Sequence, residues 1–217
     1  MILIDKPNGI SSFGVVSVVR RFFSVMTGKK CKVGHTGTLD PFATGLLILL
    51  IGDECKEAGN YSKLDKVYET DIRLGQVSST GDPEGEIKNI SDYTPTNDEI
   101  KSTVACFVGK IQQTPPIFSA IKINGVRAYK LARNSKEPIV MPKREIEIYD
   151  ISIKKYEYPI MSIKVHVSSG TYIRSLATDI GEKLGTGAYC QSLRRISVGK
   201  WSVNDAEDLN KYRVSAS

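Results

Sequence analysis

The segment Gly34-His35-Thr36-Gly37-Thr38-Leu39-Asp40-Pro41-Phe42-Ala43-Thr44-Gly45-Leu46-Leu47 sets one carboxylate in a run of small residues, directly ahead of the apolar stretch Leu46 to Ile51. Gly34, Gly37 and Gly45 permit backbone conformations and close approaches that side chains forbid. Thr36, Thr38 and Thr44 can hydrogen-bond the loop to itself, and Asp40-Pro41 pins the turn that carries the acid. The pattern calls for a tight loop feeding a buried strand, which is how an active-site acid is displayed.

The rest of the chain supplies a scaffold of both helices and strands. The N-terminal Met1-Ile2-Leu3-Ile4-Asp5-Lys6 run predicts a first strand. Ser11 or Ser12 can cap a helix from Phe13 to Met26, with Val16, Val19, Phe23 and Met26 on one face and Gly28 as its stop. Strands are expected near Lys32 to Gly34 and from Leu46 to Ile51. Lys66 to Leu74 alternates, placing Tyr68, Thr70, Ile72 and Leu74 on one inward face. Thr96 with Glu99 forms a capping box for a helix to about Phe107. Asn124-Gly125 signals a turn, and Pro138 to Pro142 reads as an exposed loop. Strands near Arg144 to Ile153 and Ile160 to Val167 precede a helix from Tyr172 to Leu184, whose first turn holds Arg174 and whose buried face carries Ile173, Leu176, Ala177, Ile180 and Leu184. Helices and strands without strict alternation imply an α+β domain built on a mixed sheet.

Composition narrows the chemistry. The chain has 217 residues, enough for a proper core. Cys31, Cys55, Cys106 and Cys190 are scattered without a C-x-x-C pair, which suits reduced thiols and a cytoplasmic location. No apolar run approaches the length of a membrane span. With His35 and His166 as the only histidines, a three-histidine metal site is excluded, and no Cys/His cluster has zinc spacing. No phosphate-binding glycine motif is present, so neither metal nor cofactor is expected. Net charge is uneven: residues 1 to 100 hold 11 Lys/Arg against 14 Asp/Glu, whereas residues 101 to 217 hold 19 against 10. Lys110, Lys122, Arg127, Lys130, Arg133, Lys136, Lys143 and Arg144 crowd one segment with Phe118 and Tyr129, a mixture suited to RNA backbone and bases together.

The signature loop resembles that of the TruB-type tRNA pseudouridine-55 synthases, whose catalytic aspartate lies in a G-H-T-G-x-L-D-P-x-A-x-G-x-L segment. Further blocks follow in the family's order. Asp5-Lys6-Pro7-Asn8-Gly9-Ile10-Ser11-Ser12 is similar to its first motif, and Lys66-Val67-Tyr68 to the strand of its active-site tyrosine. Gln113-Thr114-Pro115-Pro116-Ile117-Phe118-Ser119-Ala120-Ile121-Lys122 resembles its Q-x-P-P-x-[YF]-S-A-x-K block. Gly170-Thr171-Tyr172-Ile173-Arg174-Ser175-Leu176 and Leu193-Arg194-Arg195 resemble two late motifs. The resemblance runs from about Ile2 to Leu209. It implies the pseudouridine synthase fold, a mixed, mainly antiparallel central sheet flanked by helices and loops. Residues 1–217 would form the catalytic domain with an RNA-clamping insertion near 112–142, and the small C-terminal PUA domain usual in bacterial relatives is not expected.

The same resemblance implies an enzyme that isomerises uridine to pseudouridine in the T-arm stem-loop of tRNA, with no membrane and no obligate protein partner. Asp40 would be the nucleophile or ribose-activating group, and Arg174 the arginine that holds it ionised and oriented. Tyr68 would stack on the flipped uracil and help remove the C5 proton. Tyr172 and Leu193 would line the uridine pocket, His35 would fill the gap left by the extruded base, and Lys6 and Pro7 would shape the pocket floor. Lys122, Arg127, Lys130 and Arg133 would form the RNA clamp. The family's T-D-T-x-D segment is altered here, with Ser79 in place of an acid in Val77-Ser78-Ser79-Thr80-Gly81-Asp82. Two alternatives stand beside this reading, a guide-RNA-dependent synthase and a non-catalytic tRNA-binding or folding protein. The intact Asp40, Tyr68 and Arg174 set argues against the second.

Overall fold

The structure, a computed structural model, describes residues 1–119, 121–123, 125–128 and 139–214. In chain order it contains β1 (Ile2–Lys6), α1 (Ser12–Thr27), β2 (Val33–His35), β3 (Thr44–Ile51), α2 (Ala58–Ser62), β4 (Lys66–Leu74), β5 (Gln76–Ser78), β6 (Ile87–Asn89), α3 (Asn97–Ala105) and β7 (Gly109–Gln113). There follow β8 (Lys122–Ile123), β9 (Val126–Arg127), β10 (Arg144–Glu157), β11 (Ile160–Val167), α4 (Ile173–Lys183), β12 (Ala188–Val198), β13 (Trp201–Ser202) and β14 (Glu207–Asp208). Two compact units divide these elements, Met1–Glu69 with Leu193–Ser217, and Thr70–Ser192. The chain leaves the first unit within β4 and returns to it within β12.

In the first unit, β3 is the organising strand. Leu46 through Leu50 are all buried because both of its faces are covered. Leu47 and Leu49 join Ile4, Val15, Val16, Val19, Leu209 and Tyr212 on one side, while Leu46, Ile48 and Leu50 join Val198 and Val203 on the other. β1 runs antiparallel to β3 from Ile2↔Leu49 to Lys6↔Gly45, and β2 pairs with β3 at Val33↔Ile51 through His35↔Leu49. Parallel pairs complete the mixed pattern, β1 with β14 and β3 with β12 at Arg194↔Thr44.

Helix α1 starts where its cap chemistry dictates. The Ser11 hydroxyl accepts from the Gly14 amide at 3.0 Å, and Gly28 closes the helix in the left-handed region at φ 65°. Its buried stripe is Val15, Val16 and Val19. The expected face included Met26, which instead is 70% exposed. Val25 in the same turn is exposed as well, and Phe22 and Phe23 are the last residues of the helix that pack against the core, so helical spacing continues past the point where there is a core to meet.

In the second unit the order is β12, β4, β11, β10, β7. The long strand β10 pairs antiparallel with β11 on one side and with β7 on the other, from Arg144↔Gln113 to Ile148↔Gly109. β4 alternates as its sequence requires, with Tyr68, Thr70, Ile72 and Leu74 buried on one face. β11 buries Met161, Ile163, Val165 and Val167, and α4 buries Ile173, Leu176, Ala177 and Ile180. α3 carries the full Thr96–Glu99 capping box. Within the expected insertion, β8 and β9 form an antiparallel pair with Lys122↔Arg127 and Ile123↔Val126. Lys130 and Arg133 lie outside the described residues, as do Tyr129 and Lys136.

Candidate active site

The signature loop is fastened along its length within the first unit. Lys6 is fully buried, and its ammonium donates to the carbonyls of Pro7 at 2.8 Å, Ile10 at 2.7 Å and Pro41 at 3.1 Å. A buried lysine is tolerated when it finds such acceptors. The Gly9 amide donates to the same Pro41 carbonyl at 2.9 Å, and Asn8 Nδ2 donates to Phe42 O at 2.9 Å. Ser12 makes a two-way clamp, accepting from Leu39 N–H at 2.8 Å and donating to Leu39 O at 2.9 Å. Asp40 thus has both chain neighbours, Leu39 and Pro41, held by the N-terminal motif. Its own carbonyl accepts from Ala43 N–H at 3.1 Å to close the turn.

The late L-R-R motif grips the other side of this loop. Arg195, 2% exposed, donates to Leu46 O at 2.7 Å and to Gly37 O at 3.1 Å. Arg194 forms a two-point contact with Asp5, at 2.7 and 3.1 Å, and also reaches Thr44 Oγ1 at 3.4 Å. Gly45 lies against the Arg195 backbone so closely that a Cβ there would sit 2.3 Å from the carbonyl oxygen. Lys66 is buried nearby in sequence to Tyr68, donating to the Ser62 and Leu64 carbonyls. Burial and the charge of Arg195 lower its pKa to about 8.

The second unit holds Arg174 in a network of its own. Arg174 and Asp82 form an ion pair at 3.1 Å, with both side chains almost completely sealed from solvent. The guanidinium also donates to Thr80 O at 2.9 Å and Phe118 O at 2.8 Å. Asp82 in turn accepts from Thr80 Oγ1 at 2.5 Å and Glu84 N–H at 3.0 Å. A cavity of about 300 Å³ borders the network, lined in part by Thr80, Phe118, Arg174, Ser175 and Asp179. Tyr172 is the N-cap residue of α4, and both of its backbone polar groups are bonded to the Gln113 side chain.

The expected residues therefore fall into two sets. Lys6, Pro7, His35, Asp40, Tyr68 and Leu193 belong to the first unit, with Lys6 tied directly to the loop of Asp40 and Leu193 O accepting from Thr44 Oγ1 at 3.5 Å. Tyr172, Arg174, Lys122 and Arg127 belong to the second. Tyr68 and Leu193 are buried, at 8% and 7% exposure, and His35 and Tyr172 are half-buried. Lys6 was expected to shape a pocket floor, and its visible bonds give it the further task of pinning the loop.

Several functional side chains escaped the sequence reading. Asp82 stands at the end of the altered T-D-T-x-D segment as the acid that remains where Ser79 replaces the other. Ser79 itself closes the β5–β6 turn, its hydroxyl accepting from Glu86 N–H at 2.9 Å. Ser12, Gln113 and Arg195 stand within the motif blocks, but those blocks point to no role for them, because their partners are distant in sequence. Among the described residues no group of three or more His, Cys, Asp or Glu side chains could hold a metal ion.

Comparison with known proteins identifies the family. Residues 20–173 match the family model described as TruB family pseudouridylate synthase (N terminal domain), and residues 174–215 match that of the tRNA pseudouridylate synthase B C-terminal domain. A tRNA pseudouridine synthase B from Clostridium acetobutylicum is 40% identical over 215 residues, covering 98% of this chain and 72% of that protein. One from Chloroherpeton thalassium is 41% identical over 210 residues, covering 96% and 87%. Among solved structures, a chain of a Cbf5-Nop10-Gar1 complex superposes with a TM-score of 0.74 at 27% identity, over 96% of this chain and 52% of the other. The present chain thus spans about half the length of that solved protein. A loop acid whose segment is fastened by the N-terminal and L-R-R motifs, an arginine sealed against an aspartate and these matches lead to one assignment: the chain belongs to the TruB family of pseudouridylate synthases.

Proposed function

We propose that this chain isomerises uridine to pseudouridine in the T-arm of tRNA, at position 55. The observation that carries the proposal is the fastening of the Asp40 loop, whose two flanking residues are bonded to Lys6, Gly9 and Ser12. Such fixing suits an acid whose task depends on position. The reaction breaks the C1′–N1 bond, turns the uracil, joins C1′ to C5, and transfers the C5 proton away while N1 gains one. Atoms balance without an external reagent, so one fixed carboxylate, one stacking ring and a fixed positive charge suffice. Asp40 begins the cleavage, by attack on C1′ or by activation of the ribose. Tyr68 stacks on the extruded uracil, a contact worth about 1–3 kcal/mol, and its hydroxyl assists removal of the C5 proton. Arg174 supplies the fixed positive charge that favours the ionised acid. His35 takes the space that the base vacates, offsetting part of an unstacking cost of a few kcal/mol. Tyr172 and Leu193 bound the uridine, with Lys6 and Pro7 beneath it, and the segment containing Lys122, Arg127, Lys130 and Arg133 tracks the RNA backbone.

The test is tritium release from tRNA carrying uracil labelled at C5. The wild-type chain should release one tritium per tRNA, and Asp40→Asn should abolish release while leaving tRNA affinity within a few-fold, because phosphate contacts dominate binding. Tight tRNA binding without release by the wild-type chain would favour a binding or folding protein. Release that requires an added guide RNA would assign the guide-dependent class.

A further inference from the structure

Gln113 stands at the end of β7, where the chain departs into the expected RNA-clamping segment, and it is fully buried. Its side-chain amide makes a matched pair of bonds with the backbone of Tyr172. Oε1 accepts from Tyr172 N–H at 2.8 Å, and Nε2 donates to Tyr172 O at 3.0 Å. A primary amide is the neutral group that offers one donor and one acceptor in this spacing, so both buried backbone groups are satisfied at once. Tyr172 has no side-chain cap bond of its own and sits at φ −105°, ψ 112°, outside the helical region, immediately before α4. The Gln113 side chain holds the helix entry that the cap leaves open.

Two more bonds extend the seam. Ser175 Oγ donates to Thr114 O at 2.7 Å, and Arg174 Nη2 donates to Phe118 O at 2.8 Å. Three successive polar positions of the helix start, Tyr172, Arg174 and Ser175, are thus stitched to the short stretch Gln113 to Phe118. Gln113, Arg174 and Ser175 are themselves buried, so their polar side-chain atoms are costly to leave without these bonds.

We infer that Gln113 is a positioning residue for uridine isomerisation, setting the backbone of Tyr172 and through it the placement of Tyr172 and Arg174 at the start of α4. This rests on the function proposed above. It assigns to Gln113 no contact with substrate, and makes the root of the RNA-binding segment and the uridine pocket one hydrogen-bonded structure. Removing the amide takes from the Tyr172 N–H the acceptor it has at 2.8 Å, while the Tyr172 carbonyl keeps the Leu176 N–H at 3.1 Å, so the loss falls on the N–H at the point where the pocket residues are aimed.

Three variants test the inference. Gln113→Met keeps length and volume but removes both polar atoms. Single-turnover tritium release at saturating tRNA should fall at least about tenfold, the scale expected when a reacting group is displaced without being lost, while tRNA affinity stays within threefold. Amide exchange at Tyr172 to Ser175 should accelerate, measured on the protein alone and independent of activity. Gln113→Glu adds a distinctive signature. A protonated carboxyl can donate to Tyr172 O and accept from Tyr172 N–H, whereas a carboxylate cannot donate, so this variant should regain rate as pH falls, with an inflection absent from the wild type. Gln113→Asn, one methylene short, should behave like Gln113→Met. Equal single-turnover rates in the wild type and Gln113→Met, with unchanged exchange at Tyr172, overturn the inference. An inactive wild type instead overturns the function proposed above, and the exchange data then still decide whether Gln113 fixes the helix start.

Discussion

Arg174 and Asp82 form a sealed ion pair, with 3.1 Å between guanidinium and carboxylate and about 3–4% of either side chain exposed. A charge so deeply buried needs its counter-ion, and breaking such a pair by removing one partner costs about 3–5 kcal/mol. Asp82→Asn preserves the shape and can still accept from Thr80 and Glu84, but withdraws the Asp82 negative charge from the buried arginine. Thermal stability should drop by several degrees and tritium release at saturating tRNA by more than tenfold. Arg174→Lys should be as damaging, since an ammonium cannot reach Asp82, Thr80 O and Phe118 O in the planar arrangement that the fork allows. Wild-type turnover in both variants would remove this pair from the mechanism.

Gly45 separates steric demand from simple conformational preference. A Cβ at this position would lie 2.3 Å from Arg195 O and 2.7 Å from Arg195 N, at φ +101°. The obstructing atoms are backbone of the neighbouring strand and cannot swing aside. Gly45→Ala should therefore lose more than about 3 kcal/mol of stability. Gly9, at φ +81° with nothing within 4 Å of its would-be Cβ, provides the control. Gly9→Ala should cost about 1 kcal/mol, the conformational penalty alone. Denaturant titration of the two variants measures the difference, and equal losses would mean that the β3–β12 approach can relax.

The parts of this protein that were legible in its sequence are those with a local pattern. The Asp40 loop announces itself by three glycines and three threonines, β4 by its alternation around Tyr68, and α4 by the spacing of Ile173, Leu176, Ala177 and Ile180. The α+β class followed from those segments. What holds the site together was not legible, because each fastening joins groups far apart in the chain: Ser12 to Leu39, Arg195 to Leu46, Gln113 to Tyr172, Asp82 to Arg174. A hydroxyl, an amide or a carboxylate gives no hint of a distant partner until the strands are paired. The Met26 error has the opposite origin, since its helical spacing is genuine but core packing along α1 stops at Phe23.

The basic segment is tested through salt. Lys122 and Arg127 are register partners of the β8–β9 pair. Replacing both with Gln should weaken tRNA binding and flatten the slope of log affinity against log salt by about 0.7 to 0.9 per lost phosphate contact. The rate at saturating tRNA should be nearly unchanged. An unaltered slope would mean that RNA phosphates are neutralised elsewhere.

Asp179 makes the protein's stability depend on pH. It lies on α4 beside Glu182, and burial together with that neighbouring charge raises its pKa from 3.8 to about 6, against the partial opposition of Lys143. The folded protein therefore holds this proton more tightly than the unfolded chain does. The associated loss of stability is absent below pH 3.8, grows as pH rises toward about 6, and is complete above it. Asp179→Asn removes the ionisation while keeping the size, so the variant should be more stable than the wild type at pH 7.5, by on the order of 1 kcal/mol after solvent screening. Near pH 4 the two should melt together. A stability offset that is the same at both pH values would show that the substitution acts through packing, and that the carboxylate at 179 carries no folding cost.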